Sequence, residues 1–207
     1  MAVSYLWRAE MKPATDLAMP EPRPLDAGMI ASASGWLRAA EAGLRFRRVT
    51  AADEPFLFRV YASTRTDELA PVPWSDEQKA QFLDMQARAQ HTDYQRNYAA
   101  ADWLIIEHDG TDVGRLYLER GDNNDTHHII DIAFLPEWRN RGLGGALLRD
   151  LLDEAARSGK AVSIHVEKFN PAMRLYQRLG FMRIEDRGVY DLMQSKAPAG
   201  AQPKMAS

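Results

Sequence analysis

The chain has 207 residues, 45% of them hydrophobic and 27% charged, with a formal net charge of -3. That length suffices for one sizeable domain burying about 70% of its unfolded surface, and the mild acidity excludes the basic stripe of a nucleic-acid binder. With 0 cysteines it has no disulfide framework, no thiolate nucleophile and no Cys-ligated zinc. It also has no run of about 18 apolar residues to span a membrane, and its first residues lack the apolar core of a secretory signal, so a cytoplasmic protein is expected.

The stretch from Lys12 to Gly28 is proline-rich and has no apolar periodicity, so residues 1–43 read as an extended arm or disordered leader. Within it, SASGWLRAAEAGL suggests a short helix capped at Ser34, with Trp36 and Leu37 seeking a surface. Residues 44–196 read as the folded domain and 197–207 as a flexible tail. LRFRRVT, from Leu44, alternates as a strand does. Phe56, Leu57, Val60 and Tyr61 follow at helical spacing. A second helix begins at Ser75, where Gln78 completes a capping box and Phe82, Met85 and Ala89 mark a buried stripe.

WLIIEH, VGRLYLER and HHIIDIAFL then form an antiparallel meander. GLGGALLRDLLDEAARSG is a helix of about 16 residues ending at Gly159, and it leads to the strand AVSIHV. Asn170 caps another helix, with Pro171 in its first position and Gly180 after its last turn, before the strands FMRIED and VYDLMQ. The order predicts a mixed α/β fold: a central, mostly antiparallel sheet of about seven strands flanked by about four helices.

Between the third meander strand and its helix lies RNRGLGGA, Arg139 to Ala146. Unpaired N–H groups at a helix N-terminus attract anions, and Gly142, Gly144 and Gly145 let a phosphate approach the backbone closely. Arg139 and Arg141 add charge-assisted donors, so a pyrophosphate fits the stretch. The G-K-[ST] of a nucleoside triphosphate loop is absent, and the context of a dinucleotide fingerprint is not met.

IAFLPEWRNRGLGGA, Ile132 to Ala146, resembles the acyl-coenzyme A signature R-x-x-G-x-G/A of the GNAT acetyltransferase superfamily, with Arg139, Gly142 and Gly144 in the fixed positions. NPAMRLYQRLGF, Asn170 to Phe181, is similar to that superfamily's second conserved segment, and the element order from about Leu44 to Lys196 matches its fold. The resemblance implies transfer of an acyl group, usually acetyl, from acetyl-coenzyme A as co-substrate to a primary amine by direct attack, without a metal.

It also implies roles. The phosphates fall to Arg139, Arg141, Gly142, Leu143, Gly144, Gly145 and Ala146, and the pantetheine arm to Ile132, Ala133 and Phe134, with the Phe134 N–H as oxyanion donor. Asn170 contacts the cofactor, although helix capping alone explains it. Tyr176 becomes the general acid for the leaving sulfur; on its apolar helix face it would otherwise read as a core residue.

The base is open between Asp131, whose carboxylate in an apolar run is expensive unless used or paired, and Glu68, in a segment bordering the acceptor cleft. Trp74, in PVPW between the first two helices, reads as a packing anchor, although the resemblance implies that this loop shapes the acceptor site and makes an acceptor contact the alternative. Asp67, Glu68 and Asp93 hint at a cationic acceptor: a small polyamine, an amino sugar, a lysine or a protein N-terminus. His127 and His128 project to opposite strand faces and make a poor metal pair. A catalytically idle coenzyme A-binding module and an unrelated phosphate-binding α/β protein are the competing readings, and a homodimer is left open.

Overall fold

A computed structural model describes residues 35–121 and 125–196. Ser34, the bulk of the arm and the tail from residue 197 lie outside the described residues. The elements are α1 (Leu37–Glu41), β1 (Leu44–Arg48), α2 (Glu54–Leu69), α3 (Asp76–Asn97), β2 (Asp102–His108), β3 (Thr111–Glu119), β4 (Thr126–Phe134), α4 (Leu143–Arg157), β5 (Ala161–Glu167), α5 (Met173–Arg178), β6 (Met182–Arg187) and β7 (Tyr190–Gln194). Short 3-10 turns at Ala51–Asp53 and Pro136–Trp138 lead into α2 and towards α4.

The strands form one 7-stranded sheet in the order β1-β2-β3-β4-β5-β7-β6. Every pairing is antiparallel except that of β4 with β5. The mixed α/β architecture is the expected one, and the short helix expected in SASGWLRAAEAGL is present as α1 beside the four anticipated in the folded domain.

Strand alternation distributes the core. Ile106, Leu116, Leu118, Ile129 and Ile164 face α4 in the main cluster, which Trp36 and Ala39 of the α1 segment join. Ile105 and Tyr117 turn to the opposite face and meet Leu57 of α2, with Tyr94 of α3 packed beside them.

α1 has five residues and no local side-chain cap, too few to persist alone. It is held in trans by α4: the buried Asp150 accepts from the Ala39 N–H at 2.8 Å and from Arg38 at 3.1 Å, and Trp36 Nε1 donates to Glu154 at 2.6 Å. The segment 35–43, grouped by composition with the arm, is therefore part of the fold, with Trp36 and Ala39 buried against α4 and β1, although Leu37, expected to seek a surface with Trp36, is exposed.

The Ser75 capping box forms as expected, with the Gln78 N–H donating to Ser75 Oγ at 3.2 Å and the Ser75 N–H to Gln78 Oε1 at 2.9 Å. The buried stripe of α3 is different. It runs through Leu83 and Ala87, while Met85 is exposed and Phe82 lies at the margin against Trp74. Both sets have helical spacing, and contact with α2 selects the face carrying Leu83.

Candidate active site

β4 and β5 run side by side only from Thr126↔Ala161 to Ile129↔Ile164. Beyond that point β4 stays with β3, Asp131 to Phe134 opposing Tyr117 to Gly114, while β5 follows β7 from His165 to Glu167. A bulge at the fork aids the divergence: Tyr117 opposes Asp131 and Leu118 opposes Ile129, leaving Ile130 as the extra residue. The result is a V whose two arms expose main-chain edges to each other.

The direction of those edges follows from one bond. The Leu135 N–H donates to the Val113 carbonyl at 2.9 Å, so strand alternation turns the main-chain groups of Ala133 towards β3 and those of Ile132 and Phe134 into the V. Gly114 keeps β3 and β4 tightly apposed there, since a Cβ at this position would lie 2.4 Å from the Ala133 carbonyl oxygen. Of the three strand residues assigned to pantetheine, Ile132 and Phe134 thus offer backbone, and Ala133 contributes its side chain to the cavity wall.

At the open end of β4, the loop before α4 reverses through Asn140 and Gly142, both with left-handed backbones at φ 59 and φ 82. Gly142 faces open space. The first helical bond runs from the Ala146 N–H to the Gly142 carbonyl at 3.0 Å, so the N–H groups of Leu143, Gly144 and Gly145 are left to outside partners. The Leu143 side chain is buried in the core. The Arg139 guanidinium turns back to Phe134, donating to its carbonyl at 2.8 Å and to Ser63 Oγ of α2 at 2.9 Å. Arg141 stacks over Trp138, 4.9 Å from the ring centre.

Inside the V lies a cavity of about 180 Å³ that gathers Asp131, Ile132, Ala133, Asn170 and Tyr176. Tyr176 is buried against Phe181, and burial, then Asp131, raises its phenol well above the usual range. Asn170 accepts from the Ala172 N–H at 2.8 Å, fixing the turn that launches α5. Asp131 bonds the Arg115 guanidinium of β3 at 2.6 Å. That guanidinium is buried, which opposes its charge, yet Asp131 and the neighbouring tyrosines hold its pKa above the ordinary value.

Among the lining residues that escaped the sequence reading are Arg65, Tyr94, Arg115, Glu167 and Tyr190. Arg65 of α2 reaches across the mouth of the V to Glu167 at 2.6 Å, and the Tyr190 hydroxyl donates to the same carboxylate at 3.3 Å. Burial works against the Arg65 charge, but Glu167 and Glu68 more than offset it and its pKa is raised. Glu167 did carry a signal: Ser163, His165 and Glu167 alternate with the core residues Val162, Ile164 and Val166, so three polar side chains share one strand face. Arg115, a charge within the apolar VGRLYLE, carried the same signal as Asp131.

Glu68 and Trp74 are not among the lining residues. Glu68 is exposed and bonds Arg65 at 2.8 Å, and Trp74 packs edge-on to Phe82 at 5.2 Å. His127 is buried near Glu154, whereas His128 bonds Ser163 at 3.0 Å on the opposite face. No cluster of three or more metal-ligating side chains occurs among the described residues, and no helix among them is long and apolar enough to cross a membrane.

Comparison with known proteins adds an independent line. The mycothiol acetyltransferase of Corynebacterium glutamicum (strain R) is 29% identical over 120 residues, covering 57% of this chain and 40% of that protein. The cysteine-rich protein 2-binding protein of Mus musculus is 43% identical over 53 residues, covering 24% of this chain and 6% of that protein. The chain thus spans less than half the length of both curated relatives. In fold it is similar to the PaiA N-acetyltransferase from Thermoplasma acidophilum in complex with coenzyme A, with a TM-score of 0.56 and 16% identity over 74% of this chain and 98% of that one. An acetyltransferase from Thermus thermophilus aligns with a TM-score of 0.52 and 20% identity over 73% of this chain and 95% of that one. The model of the Acetyltransferase (GNAT) family matches residues 61–181, more than half of the chain, from the middle of α2 to just past α5, and the protein belongs to that family.

Proposed function

We propose that the protein is an acetyl-coenzyme A-dependent N-acetyltransferase of the cytoplasm that acetylates a primary amine by direct attack, the acceptor being a small molecule or an amine on a peptide or protein. The observation that carries this reading is the separation of β4 from β5 beyond Ile129 and Ile164, directly beside the glycine-bearing N-terminus of α4. An extended amide chain fits the first as an added strand, and a pyrophosphate fits the second. The open space in front of Gly142 and the inward-facing main chain of Ile132 and Phe134 support the fit.

Acetyl-coenzyme A, when bound, supplies an activated acyl thioester and a thiolate leaving group. The protein's tasks are then to hold, polarise and move protons. The N–H groups at the start of α4 bind the phosphates, with Arg141 and a reoriented Arg139 adding charge. Ile132 and Phe134 align the pantetheine arm, and the Phe134 N–H stabilises the charge that develops on the carbonyl oxygen. Tyr176, kept protonated by burial, delivers a proton to the departing sulfur. Asp131, fixed by Arg115, accepts the amine proton directly or through water.

Calorimetric titration with acetyl-coenzyme A tests the assignment, with Gly144→Glu as control. A Cβ at 144 meets only ordinary contacts, 3.7 Å from the Phe134 ring, and a carboxylate in the first turn of a helix favours folding, so this variant stays folded. The expected result is micromolar binding that free coenzyme A competes for and ATP and NAD do not, lost in Gly144→Glu, with thiol release on addition of amines. Absence of binding in the unmodified protein overturns the phosphate-loop assignment, and binding without thiol release from any amine favours an idle coenzyme A-binding module.

A further inference from the structure

The two arms of the V each carry one carboxylate into the cavity, Asp131 on β4 and Glu167 on β5, and each carboxylate is bonded to an arginine. The two pairs differ in what would follow if the arginine let go. Arg115 has a side chain only 7% exposed, and its other partners are neutral, the Leu57 carbonyl and Gln90, both at 3.3 Å. Separating it from Asp131 would strand a buried guanidinium, among the costliest events in a protein interior.

Arg65 is held differently. Its Nη1 is shared between Glu167 at 2.6 Å and Glu68 at 2.8 Å, and Glu68 lies one turn away on the same helix with 57% of its side chain exposed. Released from Glu167, Arg65 keeps a carboxylate partner at the surface.

We infer that Glu167 receives the cationic head of the acceptor by exchanging Arg65 for the incoming ammonium, with Glu68 retaining the displaced guanidinium. This deepens, and rests on, the reading of the V as an amine acetyltransferase cleft. The lining suits an alkylammonium: Tyr61, Tyr94, Tyr176 and Tyr190 line the same cavity as Glu167, and aromatic rings attract such cations. The Tyr190 hydroxyl already donates to Glu167 and keeps it oriented when Arg65 leaves. The cavity, of about 180 Å³ and open at the mouth of the V, has room for the head of an unhindered primary alkylammonium, free or at the tip of a longer chain. Exchange of one cation for another leaves the charge of the cavity unchanged, so no carboxylate is left bare before the acceptor arrives.

The exchange makes a signed prediction about residues that need never touch the acceptor. NMR titration with n-butylammonium, with n-butanol as the neutral control and coenzyme A present throughout, reads affinity without any acyl transfer. Glu167→Gln is expected to weaken n-butylammonium binding at least about tenfold while leaving the amide spectrum of the fold intact. Arg65→Gln removes the competing cation and is expected to tighten binding several-fold. Glu68→Gln deprives Arg65 of its alternative partner and is expected to weaken binding several-fold, although Glu68 lies outside the cavity. A gain of affinity in Arg65→Gln cannot come from misfolding.

The inference is overturned if the unmodified protein binds n-butylammonium no better than n-butanol, if Glu167→Gln binds normally, or if Arg65→Gln loses affinity as Glu167→Gln does, since Arg65 would then be an acceptor contact itself. Failure of the transferase reading shows separately, as absence of acetyl-coenzyme A binding, and leaves this titration readable.

Discussion

Burial raises the Tyr176 phenol, and Asp131 adds to the effect, so at neutral pH this hydroxyl is a proton donor held beside the open edge of β4. Replacing it with phenylalanine removes the proton and little else, because the ring packs on Phe181 either way. Tyr176→Phe is therefore expected to bind acetyl-coenzyme A normally by calorimetry while its turnover falls about 10²-fold or more. Gly114 is a second residue whose effect is sharply local. The Cβ of Gly114→Ala would meet the Ala133 carbonyl oxygen at 2.4 Å, so β4 must shift at the positions that face the V. The expected outcome is about a tenfold loss of acetyl-coenzyme A affinity, compared by titration with Gly144→Ala, where a Cβ has room.

Among the elements, α1 depends most on its surroundings. Its five residues have no cap of their own, and the buried Asp150 carboxylate of α4 does the capping from across the interface. Asp150→Ala leaves the Ala39 N–H buried without that acceptor and frees Arg38 from one of its two carboxylates, a loss of about 1–3 kcal/mol. Urea unfolding should report that loss, and amide exchange should report faster opening of residues 39–42 than of α4 itself. The coupling reaches further, since Glu154 on the same helix bonds both Trp36 and Arg120, and Arg120 in turn meets Asp102 of β2. Helix α4 thus leaves N–H donors without helical partners at its first turn and anchors α1 and the sheet with its acidic later turns.

For the whole molecule, acid sensitivity follows from the polar face of β4 and β5. His128 lies among Ser163, His165 and Tyr98, and burial, then His165 and Arg187, lower its pKa to about 4. In the unfolded chain a histidine titrates near about 6.5. The folded state therefore binds this proton less readily: the associated stability is fully present above about pH 6.5 and is lost progressively as pH falls towards 4. The loss between pH 7 and pH 4 amounts to about 3 kcal/mol, and His128→Gln is expected to flatten that part of the stability profile measured by urea midpoints.

Seven strands, the helix that follows RNRGLGGA and the turn at Asn170 were legible in the sequence because each rests on a short-range signal: a two-residue or helical period, a glycine at a reversal, a cap three residues from its partner. The glycine-rich loop stood out for the same reason and Asp131 as a charge in an apolar run, whereas Tyr176, a core residue by its helical period, was singled out only by the family resemblance. The α3 stripe was not, since two sets of residues shared a helical spacing and only contact with α2 distinguishes them. The partners of the charges were illegible too. Arg115 meets Asp131 across two strands, and Arg65 meets Glu167 across the mouth of the V, between residues that no local pattern connects. The sequence by itself determined the strands, the helices and the glycine-rich loop between β4 and α4; tertiary structure alone decided which carboxylate is bonded to a buried arginine and which to an arginine shared with a second carboxylate, because that depends on burial and on neighbours from distant parts of the chain.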